Sequence, residues 1–145
     1  MDCLQRLMAA QILFQHNLKI LHWNVIGLDF DPVHELLGGY YEYFNDLIDD
    51  TAEFCKSLSV NVISLHEAME ILENDDIAFM SINGSDSFVS KDCFEKVGNM
   101  FDIMIKLYDM AFTYDTIPAS IVNKMQESQQ WFRKESHFKN RQRLR

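Results

Sequence analysis

The chain is poor in residues that break helices. Five glycines and two prolines in 145 residues leave little material for tight turns or a many-stranded sheet. Cysteine is scarce too: Cys3, Cys55 and Cys93 are odd in number and far apart. That excludes a disulfide framework or a zinc knuckle and reads as reduced thiols in a cytosolic protein. No apolar run approaches the roughly 18 residues of a membrane span. The opening Met-Asp-Cys-Leu-Gln-Arg lacks the basic-then-apolar pattern of a secretory signal. These absences predict a cytoplasmic chain with no membrane partner.

What is present points to helices. Hydrophobic residues make up 48% of the chain, enough for a core and too many for disorder. The length predicts a single domain over residues 1–145. The net charge of −9 excludes a protein that coats nucleic acid over its whole surface. The charge is uneven, however. Arg133, Lys134, Lys139, Arg141, Arg143 and Arg145 stand near the C-terminus against one acid, Glu135. The acidic body suits cations and the basic tail, 139–145, suits phosphates.

Four long segments carry helical periodicity. The first runs from about Cys3 to Val25, with Leu4, Leu7, Phe14, Leu18, Leu21 and Val25 as its stripe and Gly27 as a stop. The second starts at Asp31-Pro32, an N-cap followed by proline at the first helical position. Its stripe is Val33, Leu36, Leu37, Tyr40, Phe44, Leu47, Ile48 and Cys55. The third follows Ser90, with Phe94, Val97, Phe101, Met104, Tyr108 and Ala111 forming a bundle-type seam. The fourth begins near Ile117-Pro118 and carries Ile121, Met125 and Phe132 towards the tail. Between the second and third lies a long connection with a shorter helical pattern, Ser64 to Leu72, in which Leu65, Met69 and Leu72 share a side. The pattern predicts an all-α four-helix bundle, with a short extra helix in a crossover between parallel helices two and three.

The chemistry concentrates in residues 22–53. His22 and His34 stand twelve apart, and Asp49-x-x-x-Glu53 follows. Imidazole and carboxylate together hold ferrous iron while leaving positions open. On one helix, His34 and Asp49 lie about 22 Å apart along the axis. One copy cannot put both on one ion. Two antiparallel copies related by a two-fold axis can, crossing near Tyr41 and Glu42. No glutamate has a histidine three residues later, so the Glu-x-x-His di-iron site of a single ferritin-type bundle is not expected.

The run His22-Trp23-Asn24-Val25-x-Gly27, then Phe30-x-x-x-His34, then Asp49-x-x-Ala52-Glu53, resembles the Dps proteins, the mini-ferritins or DNA-binding proteins from starved cells. Ser57-Leu58, Ser64-Leu65-x-Glu67, Asp115-Thr116-Ile117-Pro118 and Trp131 extend the likeness less specifically. The resemblance implies a ferritin-like fold, a dodecameric shell with two-fold interfaces through helix two, and iron that is bound, oxidised and stored, preferably with peroxide. It implies a ferroxidase site of His22 and His34 from one subunit and Asp49 and Glu53 from its mate. It also suggests Trp23 as an electron donor. The family expects an acid one turn after the second histidine, where this chain has Gly38. Glu35 or Glu42 would then substitute as ligands, or oxidation would be weakened. Gly38 and Gly39 could also serve close helix packing. Two other readings stand beside it. One is a Dps-like shell with weak or absent ferroxidase activity that binds DNA through Lys139, Arg141, Arg143 and Arg145. The other is a degenerate ferritin-like assembly protein. His16 is expected to be solvated, and His66 and His137 to lack partners at ligand spacing. Glu73 to Asp76, Asp109 and Asp115 are candidates for guiding cations to a pore, and the eight methionines are core filler.

Overall fold

The computed structural model describes residues 2–145, with side chains described from Cys3 onward. Four long helices form the frame: α1 (Asp2–Asn24), α2 (Phe30–Ser57), α4 (Ser90–Phe112) and α5 (Ala119–Arg133). A fifth, α3 (Leu65–Asn74), fills the crossover between α2 and α4. The fold is the all-α, ferritin-like bundle that the periodicity and the resemblance predict.

Contacts along the helices give their directions. From Gln15 to Lys19 on α1, the partners on α2 step back from Asn45 to Tyr41, so the two helices are antiparallel. Gln11 meets Tyr108, and Asn17 meets Met100, which makes α1 and α4 antiparallel as well. Helices α2 and α4 therefore run parallel and need the crossover. The core between them is aromatic. Tyr40, Phe44, Phe101, Tyr108 and Phe132 are buried, and Tyr43 stacks on Trp131 with ring centroids 3.9 Å apart. Edge-to-face pairs such as Phe101–Phe132 (5.1 Å) and Tyr40–Phe101 (5.2 Å) add to simple area burial.

The structure departs from the sequence reading at several element ends. The N-cap position of α2 is Asp29, not Asp31. Gly27 has φ +119°, a conformation that favours glycine, and its carbonyl accepts from Phe30 N. The turn closes earlier, so Asp31 enters the first helical turn and Pro32 sits where backbone N–H groups are unpaired anyway. Val25–Ile26 pairs with Phe88–Val89 as a two-residue parallel bridge, too short to leave a strand pattern in the sequence. Helix α3 is capped by Ser64, whose hydroxyl accepts from Glu67 N while the Glu67 carboxylate accepts from Ser64 N. These bonds hold the Glu67 carboxyl below its ordinary range. Its buried face is Ala68 and Leu72; Leu65 points outward and is 68% exposed.

The basic tail is not a loose extension. Helix α5 passes into a π-helical stretch, Lys134–Asn140, and a last turn, Arg141–Arg143. Gly98 makes room for this: a Cβ there would sit 2.9 Å from Asn140 Nδ2, which donates to Phe94 O. Buried Glu135 accepts from Tyr40 Oη and Lys139 Nζ, both at 2.8 Å. Arg143 donates to Tyr40 Oη at 3.0 Å and covers the Phe94 ring. Two of the four tail cations thus hold the bundle together, while Arg141 and Arg145 stay exposed.

Candidate metal centre at the first interhelical turn

His22 closes α1 and His34 lies in the second turn of α2. Their rings stack nearly parallel, 3.7 Å between centroids and 12° between planes. His22 Nδ1 lies 2.5 Å from the carbonyl oxygen of His34, and His34 Nδ1 lies 2.6 Å from that of His22. A carbonyl only accepts, so each Nδ1 carries the proton. In the neutral ring each Nε2 then keeps its lone pair, the form in which imidazole binds a metal. The two helices thus fix both tautomers reciprocally. Phe30 stacks on His34 (4.8 Å) and Tyr41 meets His22 edge-on (5.4 Å), so both rings are also held from outside.

Gly38 belongs to this arrangement. A Cβ on it would lie 3.0 Å from His22 Cε1 and 3.3 Å from Nδ1, tighter than ordinary contact. The glycine lets the imidazole lie directly against α2. Gly39, its neighbour, faces open space and has no packing role in this chain. Gly39→Ala should therefore stabilise the fold by about 0.5–1 kcal/mol through helix propensity alone. In Gly38→Ala the same gain is offset by displacement of His22. Urea melts of the two variants check this, and equal stabilisation would mean that His22 is not seated there.

The carboxylates lie elsewhere. Asp49 and Glu53 are exposed on the far half of α2, about 22 Å or more from His34 at 1.5 Å per residue. Glu35 and Glu42 are exposed on the same helix. Glu42 borders a polar cleft with Gln15, Lys19, Tyr41 and Asp46. Among the described residues, no group of three or more His, Cys, Asp or Glu side chains could hold a metal ion. A single chain therefore brings together the two imidazoles and none of the four acids.

Trp23 is 59% exposed, with its edge towards the exposed ring of His16 at 6.4 Å, so it is not a core aromatic. Asn24 donates to Gly84 O and Asp86 O at 2.8 Å and ties the crossover to the end of α1. His66 and His137 each meet one acid: His137 Nε2 is 3.2 Å from Asp102 Oδ1, and His66 Nε2 is 2.9 Å from Glu70 Oε1. Neither gathers further ligands. Asp109 is engaged by Gln129 and Arg133, and Asp75 by Arg6, so these acids are partly neutralised. The Tyr41 contact and the reciprocal imidazole bonds left no mark in the sequence, because they depend on how α1 and α2 approach.

No family model matches the chain. Over 97 residues it is 32% identical to the DNA protection during starvation protein of Helicobacter pylori (strain J99 / ATCC 700824), a match covering 66% of this chain and 63% of that relative. Two solved structures share the fold over 99% of this chain. One is Helicobacter cinaedi CAIP, with TM-score 0.87, 22% identity and 98% of that chain covered. The other is antigen TpF1 from Treponema pallidum, with TM-score 0.85, 16% identity and 90% covered. The bundle thus has the ferritin-like fold. Within that fold the chain is similar to a DNA protection during starvation protein over part of its length, in line with the resemblance that residues 22–53 carry. No helix among the described residues is long and apolar enough to cross a membrane.

Proposed function

We propose that residues 1–145 act as one Dps-type domain in the cytosol. It assembles as a homo-oligomeric shell of about twelve copies, the number the Dps resemblance implies, and oxidises ferrous iron between two-fold-related subunits. The observation that carries this reading is the reciprocal bonding of His22 and His34, which leaves two neighbouring Nε2 lone pairs for metal. A two-fold mate running antiparallel along α2 would bring its Asp49 and Glu53 to those imidazoles. Their exposure supports that role, since they are free to meet another chain.

Iron is the substrate and cargo. Two ferrous ions give two electrons to one hydrogen peroxide, which takes up two protons and leaves as two waters. The protein's own residues bind and orient the iron and keep the reaction at a fixed place. With Gly38 in place of an acid, one carboxylate is missing on the His22 side, and water fills that position. Exposed Trp23, next to His22, can supply a further electron when only one iron is bound. DNA binding is the second reading, favoured by exposed Arg141 and Arg145 and narrowed by the engagement of Lys139 and Arg143.

Light scattering combined with iron analysis after aerobic loading tests the main reading. The expected result is a particle near twelve chains that takes up many irons per chain. A monomer, or a shell that binds no iron, would overturn it.

A further inference from the structure

The end of the bundle remote from the histidines holds two cysteines that the iron chemistry does not use. Cys3 lies in the first turn of α1 and Cys55 in the last turn of α2, and both are buried in the same core. The α1–α2 register places them together. Between Lys19–Tyr41 and Gln15–Asn45, each helix advances four residues in opposite directions. Three more such steps bring Cys3 level with Ser57, so Cys55 lies about 3 Å along the axis from the level of Cys3. Both side chains are buried, so they point inward at this level, between helix axes that pack roughly 8–10 Å apart. An electrostatic sign agrees: burial pushes the Cys55 thiol up, and the neighbouring Cys3 pushes it further.

We propose that Cys3 and Cys55 form a peroxide-sensitive dithiol, a modification site that closes to an intrachain disulfide. Cys3 reacts first, because it is the more exposed of the two, at 5% against 0% for Cys55. Its sulfur takes one oxygen of hydrogen peroxide as the O–O bond breaks, and the hydroxide released is protonated to water. The Cys55 sulfur then attacks the sulfenic sulfur and displaces a second hydroxide, which also leaves as water. In total two thiols lose two electrons and two protons, and one peroxide becomes two waters. The product staples the start of α1 to the half of α2 that carries Asp49 and Glu53.

Cys93 provides an internal control. It is buried at the start of α4, beside the Val25–Phe88 bridge, roughly 30 Å along the bundle from Cys3. The test uses the full apo chain, treated with graded hydrogen peroxide in the presence of a chelator, then unfolded in N-ethylmaleimide. The proposal expects a mass 2 Da lower, one maleimide adduct at Cys93, and a Cys3–Cys55 peptide that reduction separates. Cys55→Ser should instead stop at a dimedone-reactive sulfenic acid on Cys3. Three maleimide adducts after peroxide, a crosslink through Cys93, or a disulfide only between chains would each overturn it. None of these readouts involves iron, so failure here is distinct from failure of the metal centre.

Discussion

Mixing His34→Ala and Glu53→Ala chains before assembly should restore about a quarter of the parental iron-oxidation sites, although each variant alone has almost none. The quarter follows from two-fold symmetry. In the proposed arrangement each interface holds two sites, each taking imidazoles from one chain and acids from the other. In a mixed pair, one site receives both defects and the other receives neither. Random pairing makes half of the interfaces mixed, and half of their sites intact. Each variant alone should lose at least about 10-fold in ferrous oxidation rate, since even outer-shell groups at metal sites are worth that much. Ferrous loss followed colorimetrically after co-refolding measures both effects. If either single variant oxidises iron like the parent, the residue is not a ligand. If both are inactive and the mixture recovers nothing, the site does not lie between chains.

Mixing is informative because a single chain keeps its imidazoles and its acids apart. The sequence spacing already implied as much: fifteen residues of helix separate His34 from Asp49, and no fold of one straight helix closes that gap. The four long helices were equally legible, because apolar residues at steps of three and four follow from helical geometry alone. The less legible features depend on approach and not on pattern. Gly38 stands out as the absence of a ligand in the sequence; in the structure it is the space that seats His22. The tail reads as a strip of cations, yet Glu135 and Tyr40 draw Lys139 and Arg143 inward. Leu65 fits the apolar side of α3 by spacing, but the buried residues of that helix are Ala68 and Leu72, and Leu65 stays in water. A pattern of residue types gives the face of a helix, and only packing decides how much of that face is used.

Alkali should unfold this protein well before it unfolds most helical bundles, starting near pH 9. The cause lies in buried acids that are neutral. Burial pushes the Cys93 thiol up to about 11, from 9.0. Tyr40 and Tyr108, sealed in the aromatic core, are raised well above the ordinary 10.0, mainly by desolvation. Glu135 raises Tyr40 further by accepting its proton in a hydrogen bond. Below pH 9 all three groups hold their protons in both folded and unfolded chains, and their contribution to stability does not vary. Above it, the unfolded chain releases the Cys93 proton while the folded chain keeps it, so stability falls as pH rises. Cys93 alone removes about 2–3 kcal/mol between pH 9 and 11, because each pH unit over which only the unfolded chain is ionised costs about 1.4 kcal/mol. The two tyrosines begin to act near pH 10 and carry the loss onward. Against a typical stability of about 5–15 kcal/mol, the combined effect is enough to cross the midpoint. Urea midpoints at pH 8, 9.5 and 11 should decline in that order. Absorbance of phenolate should show at least two of the five tyrosines ionising only as the helices melt. A flat urea midpoint up to pH 11, or tyrosines that all titrate near 10 in the folded chain, would mean that water reaches the core between α2, α4 and α5.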